Sequence, residues 1–133
     1  MDATLSLPPV PEYARVARHV LGEAAGRAGV PMAHLADVRL CVDEAFTLVL
    51  RRRAAAGSAD PVDFHFGRDG VLWRIRVDGP LAEPVDAGTE DGLSLQVIRA
   101  LPDRVSFDAN ADVLRITMCW LVDPDDRTPG PGP

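Results

Sequence analysis

One stretch of the chain, Ala33–Arg53, constrains the fold more than any other. Apolar residues recur there every three or four positions, which predicts a long amphipathic helix with one buried face. A second stripe of the same helix is polar apart from Leu48, which lies one turn beyond Glu44. The predicted buried face contains Leu35, Val38, Val42, Ala45 and Val49, and the second stripe contains Asp37, Cys41, Glu44, Leu48 and Arg51.

Shorter patterns on both sides of this helix complete the set of elements. A first helix is predicted to begin at Pro11 and end at Gly29, because proline suits a first helical turn and glycine a helix end. Its predicted buried face contains Tyr13, Val16, Ala17, Val20, Leu21 and Ala24. Strands are predicted at Leu5–Leu7, Val62–Phe66, Val71–Val77, Arg104–Asp108 and Asp112–Met118, a loop at Asp78–Asp91 and a third helix at Gly92–Leu101.

The resulting order, β-α-α-β-β-α-β-β, does not alternate strands and helices singly. It therefore predicts an α+β fold, a two-layer sandwich with a mostly antiparallel sheet and its helices on one face. Residues 1–122 are expected to form one domain, since a chain of this length supports a single core. Residues 123–133, rich in Pro, Gly and Asp, have nothing to bury and are predicted to be disordered.

The charge balance narrows the classes of partner. The net charge is -6, and all 14 basic residues are arginines, a usage typical of GC-rich bacterial genes. Such a charge argues against general nucleic-acid binding but permits a basic patch for an acidic protein partner. Cys41 and Cys119 lack metal-ligand spacing, so we expect two reduced thiols and no metal. Without a signal peptide or a membrane-length apolar run, a cytoplasmic protein is expected.

The centre of the long helix carries a family resemblance. Glu44-Ala45-Phe46-Thr47-Leu48, followed by Arg51, resembles the E-A-x-T-N motif of anti-sigma factor kinases of the RsbW and SpoIIAB type. These proteins belong to the histidine-kinase-like (Bergerat) ATPase superfamily. The resemblance implies that fold, with Glu44 at the position of the base and Leu48 at the position of the asparagine that binds Mg²⁺. Leucine offers no oxygen ligand, and Mg²⁺ requires oxygen.

Two further stretches resemble the family's glycine-dependent nucleotide loops. Asp78-Gly79-Pro80-Leu81 resembles the Asp-x-Gly-x-Gly turn, with the Asp present or shifted by one and the second glycine replaced by Leu81. The segment from Gly92 to Val105 resembles G-L-G-L-x-L-x-x-A-L-x-D-x-V, with Ser94 at the second glycine. The resemblance thus implies a degenerate nucleotide site formed by Glu44, Leu48, Asp78, Gly79, Gly92 and Ser94.

A fourth, shorter match concerns partners. Tyr13-Ala14-Arg15-Val16 resembles the segment whose arginine contacts the sigma factor and its antagonist in the family, which implies partner contacts by Arg15 and by nearby Arg18. The implied partners are a sigma factor and a STAS-type anti-sigma antagonist. A homodimer is also implied, with the edge at Leu5–Leu7 as its seam, while a monomer remains open.

Ordinary structural roles stay open for each of these residues. Leu48 can be plain core, Glu44 can pair with Arg51 or Arg52 on the helix surface, and Asp78-Gly79 can be a simple turn. The basic run Arg51-Arg52-Arg53 can form an anion site, but the favoured interpretation is that it complements the dipole at the helix C-terminus. Arg15 can be only solubilising. The favoured hypothesis is a stress-response-type regulator that binds proteins without ATP, cofactor or catalysis, a pseudokinase with Glu44 vestigial. The alternatives are an active Mg-ATP-dependent serine kinase and a homologue that acts only by dimerising.

Overall fold

The computed structural model describes residues 2–81 and 90–122, and the order of elements within them is the predicted one. The predicted tail at 123–133 and positions 82–89 of the predicted loop lie outside these residues, so the domain boundary stays a prediction. The strands are β1 (Ala3–Leu7), β2 (Val62–Asp69), β3 (Leu72–Pro80), β4 (Arg104–Asn110) and β5 (Val113–Leu121), and the helices are α1 (Ala14–Ala28), α2 (Leu35–Ala55) and α3 (Glu90–Ala100).

Local signals account for the helix ends. α1 follows a 3₁₀ turn at Pro11–Tyr13, and it ends at Gly29, whose φ of 104° is a left-handed conformation that glycine adopts without strain. α2 follows a second 3₁₀ turn at Met32–His34 and is the longest element. α3 begins at Glu90, two residues before the predicted start, because Glu90 and Asp91 suit the positive end of a helix.

The five strands form one sheet in the order β1-β2-β3-β5-β4, and every pairing is antiparallel. The β2–β3 hairpin turns at Gly70, which has a φ of 63°. β3 and β5 pair along their whole lengths, from Leu72 opposite Leu121 to Pro80 opposite Val113. The antiparallel α+β fold and the edge position of β1 are therefore confirmed.

The three helices form a second layer on one face of the sheet. α2 lies in the middle, where it packs on β2 and β3 and is flanked by α1 and α3. The guanidinium of Arg99 on α3 lies 4.9 Å above the ring of Phe107 on β4, so α3 covers the β4 side and α1 the β1 side. The largest buried side chains between the layers are Trp73, Trp120, Phe46, Phe64, Leu21, Leu48, Ile75, Ile98, Ile116 and Met118.

The predicted buried face of α1 is only partly correct. Ala17 and Leu21 are fully buried, but Tyr13, Val16 and Val20 keep 36–38% of their surface exposed. These three residues form a second apolar stripe beside that of Ala17 and Leu21. Periodicity alone cannot predict which part of so wide an apolar surface faces the core. The predicted strand Val71–Val77 also began one residue too early. Val71 lies before β3, in the hairpin turn, and is 59% exposed.

Candidate functional site

Leu48 lies at the centre of the candidate site, between two polar residues of α2. Glu44 precedes it by one helical turn and Arg51 follows by three residues, so the three side chains share one face of the helix. Leu48 is nevertheless fully buried, and it belongs to the hydrophobic core. The stripe predicted to be polar therefore contains core positions at Leu48 and also at Cys41, which is equally buried.

Ser94 of α3 connects the two polar residues that flank Leu48. Its hydroxyl donates to Glu44 Oε1 at 2.7 Å and accepts from Arg51 Nη2 at 2.9 Å. Ser94 is only 2% exposed, so these hydrogen bonds form in a largely dry environment where they are stronger than in water. A serine at this position thus gives α3 a polar attachment to α2 that a glycine could not provide.

Asp91, at the start of α3, extends this attachment to the end of α2. Its Oδ1 accepts from Arg51 Nε at 2.7 Å, and its Oδ2 lies 3.4 Å from Arg52 Nε. The second contact is an ion pair without hydrogen-bond alignment, since Arg52 Nε has no hydrogen-bond partner. Arg52 is a buried cation, with 4% of its side chain exposed, and it also donates to the Pro80 carbonyl at 3.2 Å. α2, α3 and the end of β3 are thereby joined.

The alternation of β3 decides which of its residues face this site. Gly79 faces α2, because a Cβ built on it would lie 3.1 Å from Val49 Cγ2. Val77, two residues earlier, is fully buried on the same face. Asp78 lies between them and therefore points to the opposite face. There it forms a two-bond ion pair with Arg115 of β5, at 3.0 and 3.1 Å.

The structure thus brings together four of the six predicted nucleotide-site residues. Glu44, Leu48 and Ser94 form one cluster, and buried Gly92 lies in the first turn of α3 beside it. Gly79 lies under the second half of α2, while Asp78 is on the other side of the sheet. The Asp78–Arg115 pair also raises the pKa of the Arg115 guanidinium, chiefly through their hydrogen bonds.

Three residues of the cluster, Arg51, Arg52 and Asp91, were absent from the predicted nucleotide site. Asp91 was placed in a loop, and Arg51 and Arg52 were interpreted as complements of the helix dipole. The available signal was an acidic pair, Glu90-Asp91, directly before a predicted helix and opposite a run of arginines. No group of three or more metal-ligating side chains occurs in the part of the chain that the structure describes.

The predicted partner-binding arginines lie at the other side of the helix layer. Arg18 Nη1 donates to Asp43 Oδ1 of α2 at 2.7 Å, so its charge is engaged within the protein. Arg15 is exposed, and it borders the same shallow surface pocket as Arg18, together with Pro11, Glu12 and Ala14. Of the two, Arg15 is the side chain with a guanidinium available to a partner.

The chain matches a known family profile in sequence and solved structures in fold. A family profile described as "Histidine kinase-like ATPase domain" matches residues 7–120. The solved structure of the RsbU and RsbW domains of Rv1364c from Mycobacterium tuberculosis is similar with a TM-score of 0.71 and 15% identity, over 92% of this chain and 32% of that one. The SiaB–SiaC complex from Pseudomonas aeruginosa is similar with a TM-score of 0.64 and 9% identity, over 88% and 89%.

These identities show a shared fold and no more. The present chain spans about a third of the length of the Rv1364c chain that it matches. A search of curated proteins finds no match. Among the described residues, no helix is long and apolar enough to cross a membrane.

Proposed function

Because the chain belongs to the histidine kinase-like ATPase domain family, we propose that it is an anti-sigma-factor-like regulator in which internal packing has replaced nucleotide binding. It acts by binding a sigma factor or a STAS-type antagonist and has no kinase activity. The observation that carries this proposal is the complete burial of Leu48 between Glu44 and Arg51, at the position where the family resemblance expects a metal-binding asparagine.

The side chains at this place do not fit a magnesium nucleotide. Mg²⁺ requires near-octahedral oxygen ligands, and Leu48 supplies a branched alkyl group instead. Glu44, the position of the family's base, accepts the Ser94 hydroxyl. The resemblance also expects phosphate at the start of α3, yet Asp91 brings a carboxylate there, and Arg51 and Arg52 are already paired with it. Like charges repel, so this carboxylate opposes a phosphate.

The sheet side of the site supports the same proposal. The family resemblance implies that the Asp of the Asp-x-Gly-x-Gly turn contacts the adenine amino group. If Gly79 and Leu81 occupy the two glycine positions of that turn, this carboxylate belongs at position 77. The side chain of Val77 is fully buried there and has no acceptor for a hydrogen bond from an amino group. Asp78 does not compensate, since Arg115 holds its carboxylate on the far face. The proposal therefore rests on differences in all three nucleotide-binding segments.

The two structural neighbours support a protein partner. One contains RsbU and RsbW domains in a single chain, and the other is a complex of SiaB with SiaC. We assign the partner surface to the start of α1, where Arg15 is exposed beside a shallow pocket. An exposed arginine near an apolar helix stripe is typical of residues that contribute strongly to protein interfaces. An acidic partner surface would complement it.

Isothermal titration with Mg-ATP tests the loss of nucleotide binding. The expected result is no binding heat at millimolar nucleotide, with circular dichroism showing that the protein is folded. Micromolar binding, or transfer of ³²P from ATP to a STAS-domain protein, would instead establish the active serine kinase. A Glu44→Gln variant is the control for transfer, because a true base would be needed for phosphorylation but not for folding.

A restoration series tests whether the three segments act together. Leu48→Asn alone is not expected to recover ATP binding, because Leu81 and Ser94 still replace glycines. The triple variant Leu48→Asn, Leu81→Gly, Ser94→Gly is the comparison. If Leu48→Asn alone restored ATP binding, the replacement of the glycines by Leu81 and Ser94 would not be a cause of its loss.

Capture from the native cell tests the partner. The wild-type chain and an Arg104→Ala control, altered at an exposed arginine on the distant β4 edge, are expected to retain an identified sigma factor or STAS-domain protein. Arg15→Ala is expected to lose it. Equal retention by both variants would move the partner surface away from α1, and recovery of neither class of protein would reject the proposed function.

A further inference from the structure

The three described helices pack on one face of the sheet, which leaves the other face open. Asp78 points to this open face, and Arg76, two residues earlier on the same strand, does so too. The strand register places Thr117 of β5 opposite Arg76, and it places Cys119, two residues further along β5, opposite Arg104 of β4. Two arginines, a hydroxyl and a thiol therefore share one surface of three adjacent strands.

An exposed apolar side chain extends this surface. Leu121 lies two residues beyond Cys119 on β5 and keeps 52% of its surface exposed. It lies opposite Leu72 of β3, so two leucines lie side by side next to the arginines. Arginine is enriched in protein interfaces, and the centre of such an interface is more apolar than its rim. The residues that we call the sheet patch are Arg76, Arg104, Thr117, Cys119 and Leu121.

Neither arginine of the sheet patch has an ion-pair partner among the described residues. β2 brings Asp63 to the same face, yet Asp63 makes no ion pair with Arg76. Arg76 Nε is also shielded from solvent and has no hydrogen-bond partner there, an arrangement that favours a ligand with an acceptor. Arg115, further along the same face, differs because Asp78 holds its guanidinium with two hydrogen bonds. The unpaired positive charge is therefore confined to Arg76 and Arg104.

The composition of the sheet patch selects a protein segment over a nucleic acid or a free anion. Its two unpaired charges are positive, so they match carboxylates or phosphates. Asp78 and Asp108, which lie on either side of Arg115, border the patch, and the chain has a net charge of -6, so a phosphate backbone would be repelled along much of its length. A single exposed ion pair contributes only about 1 kcal/mol or less, so affinity requires several contacts. Leu121 adds the apolar contact that a free anion lacks.

We propose that the sheet patch binds an acidic segment of another protein, with carboxylates on Arg76 and Arg104 and an apolar side chain on Leu121. The patch has the size of a segment. From β3 to β4 it is about 10 Å wide, and from Leu72 to Asp78 about 20 Å long, roughly 200 Å² in all, whereas a standard interface buries about 800 Å² per partner. The helix layer carries α1 on the opposite side of the sheet, so loss of a partner at α1 and loss of the acidic segment are separate results.

Fluorescence anisotropy of labelled peptides with the full chain tests this surface. The probe is a peptide of alternating Glu and Leu, about eight residues long, which is enough to cross the patch when extended. Peptides of the same length with Gln or Lys in place of Glu are the controls. The Glu-Leu peptide is expected to bind with micromolar affinity that weakens at high salt, because exposed charge pairs are screened. The two control peptides are expected not to bind.

Variants and amide chemical shifts locate the binding. Arg76→Gln with Arg104→Gln is expected to weaken it at least about tenfold, whereas Arg27→Gln with Arg39→Gln removes the same charge from the helix layer and should leave it unchanged. Leu121→Glu, at an exposed position, should weaken it as well. In NMR spectra the peptide should shift amides of β3, β4 and β5.

Four results would overturn the proposal. They are no binding at millimolar Glu-Leu peptide, equal affinity in the two double variants, shifts confined to the helices, and tighter binding of a single-stranded oligonucleotide than of the peptide. Circular dichroism of each variant shows whether it is folded, and Leu121→Glu provides the test if the arginine variant is not.

Discussion

Replacing Asp91 by asparagine tests whether the ion-pair cluster between α2 and α3 stabilises this fold. Asp91 balances Arg51 at 2.7 Å and Arg52 at 3.4 Å, and Arg52 keeps only 4% of its side chain exposed. Asp91→Asn keeps the shape of the side chain and one acceptor oxygen but removes the negative charge that faces Arg52, whose hydrogen bond to the Pro80 carbonyl supplies no counter-charge. A buried cation then lacks a counter-charge.

The size of the effect follows from burial. Removing one partner of a buried ion pair costs about 3–5 kcal/mol, because an uncompensated charge remains inside. Asp91 is 23% exposed, so water can reach part of the site, and we expect the lower end, about 3 kcal/mol. The matched control is Asp43→Asn, which breaks the half-exposed pair with Arg18 and should cost less than about 1 kcal/mol.

Urea unfolding followed by tryptophan fluorescence measures both variants, since Trp73 and Trp120 are buried in the sheet. With a slope of about 1.5 kcal/mol per M, Asp91→Asn should lower the midpoint by about 2 M. Adding Arg52→Met removes the unpaired charge and should recover most of the loss. Equal midpoints for Asp91→Asn and Asp43→Asn, or no recovery in the double variant, would refute the reasoning.

Three further perturbations follow from single residues. Ala111 has a φ of 55°, which is strained for a residue with a Cβ. Ala111→Gly should therefore raise the free energy of unfolding by up to about 1 kcal/mol in a urea titration. The control Ala109→Gly, within β4, should lower it. Burial raises the pKa of Cys41 to about 12. The free energy of unfolding should therefore be constant below about pH 9 and fall from there to about pH 12, because the thiol ionises in the unfolded chain but not in the folded one. A Cys41→Ala variant whose free energy of unfolding shows the same decline would contradict this. Gly79→Ala should lower the free energy of unfolding by about 1–3 kcal/mol, because its Cβ would lie 3.1 Å from Val49 Cγ2. A double-mutant cycle with Val49→Ala should show a coupling of at least about 1 kcal/mol. Additive losses in the two single variants would count against the contact.

The element order and the antiparallel sheet could be predicted because they depend on local periodicity. Gly29 ended the first helix as expected, and Gly70 turns the hairpin between two strands that were both predicted; both positions have a positive φ, which glycine adopts readily. The face of α1 could not be assigned in the same way. Tyr13, Val16 and Val20 extend a single apolar arc with Ala17 and Leu21, and only the packing of α2 decides which part of that arc is buried.

The candidate site was predictable as a set of positions but not as a set of contacts. Glu44, Leu48 and Ser94 were correctly assigned to facing helices, while the attachment through Asp91 depends on α3 beginning two residues early. Asp78 illustrates the sensitivity of strands to register. β3 continues three residues past its predicted end, and the alternation of the added residues puts the carboxylate on the far side of the sheet.

The place of β1 in the sheet has a consequence for synthesis of the protein. β1 leaves the ribosome before the other described elements, yet its partner is β2, so both α1 and α2 must be made before Leu7 can meet Val62. The two hairpins, β2–β3 and β4–β5, close short loops and can form quickly, whereas β1 closes a long one. During that interval an uncharged strand is free on the nascent chain. It is the segment that we expect chaperones to hold and neighbouring chains on a polysome to capture.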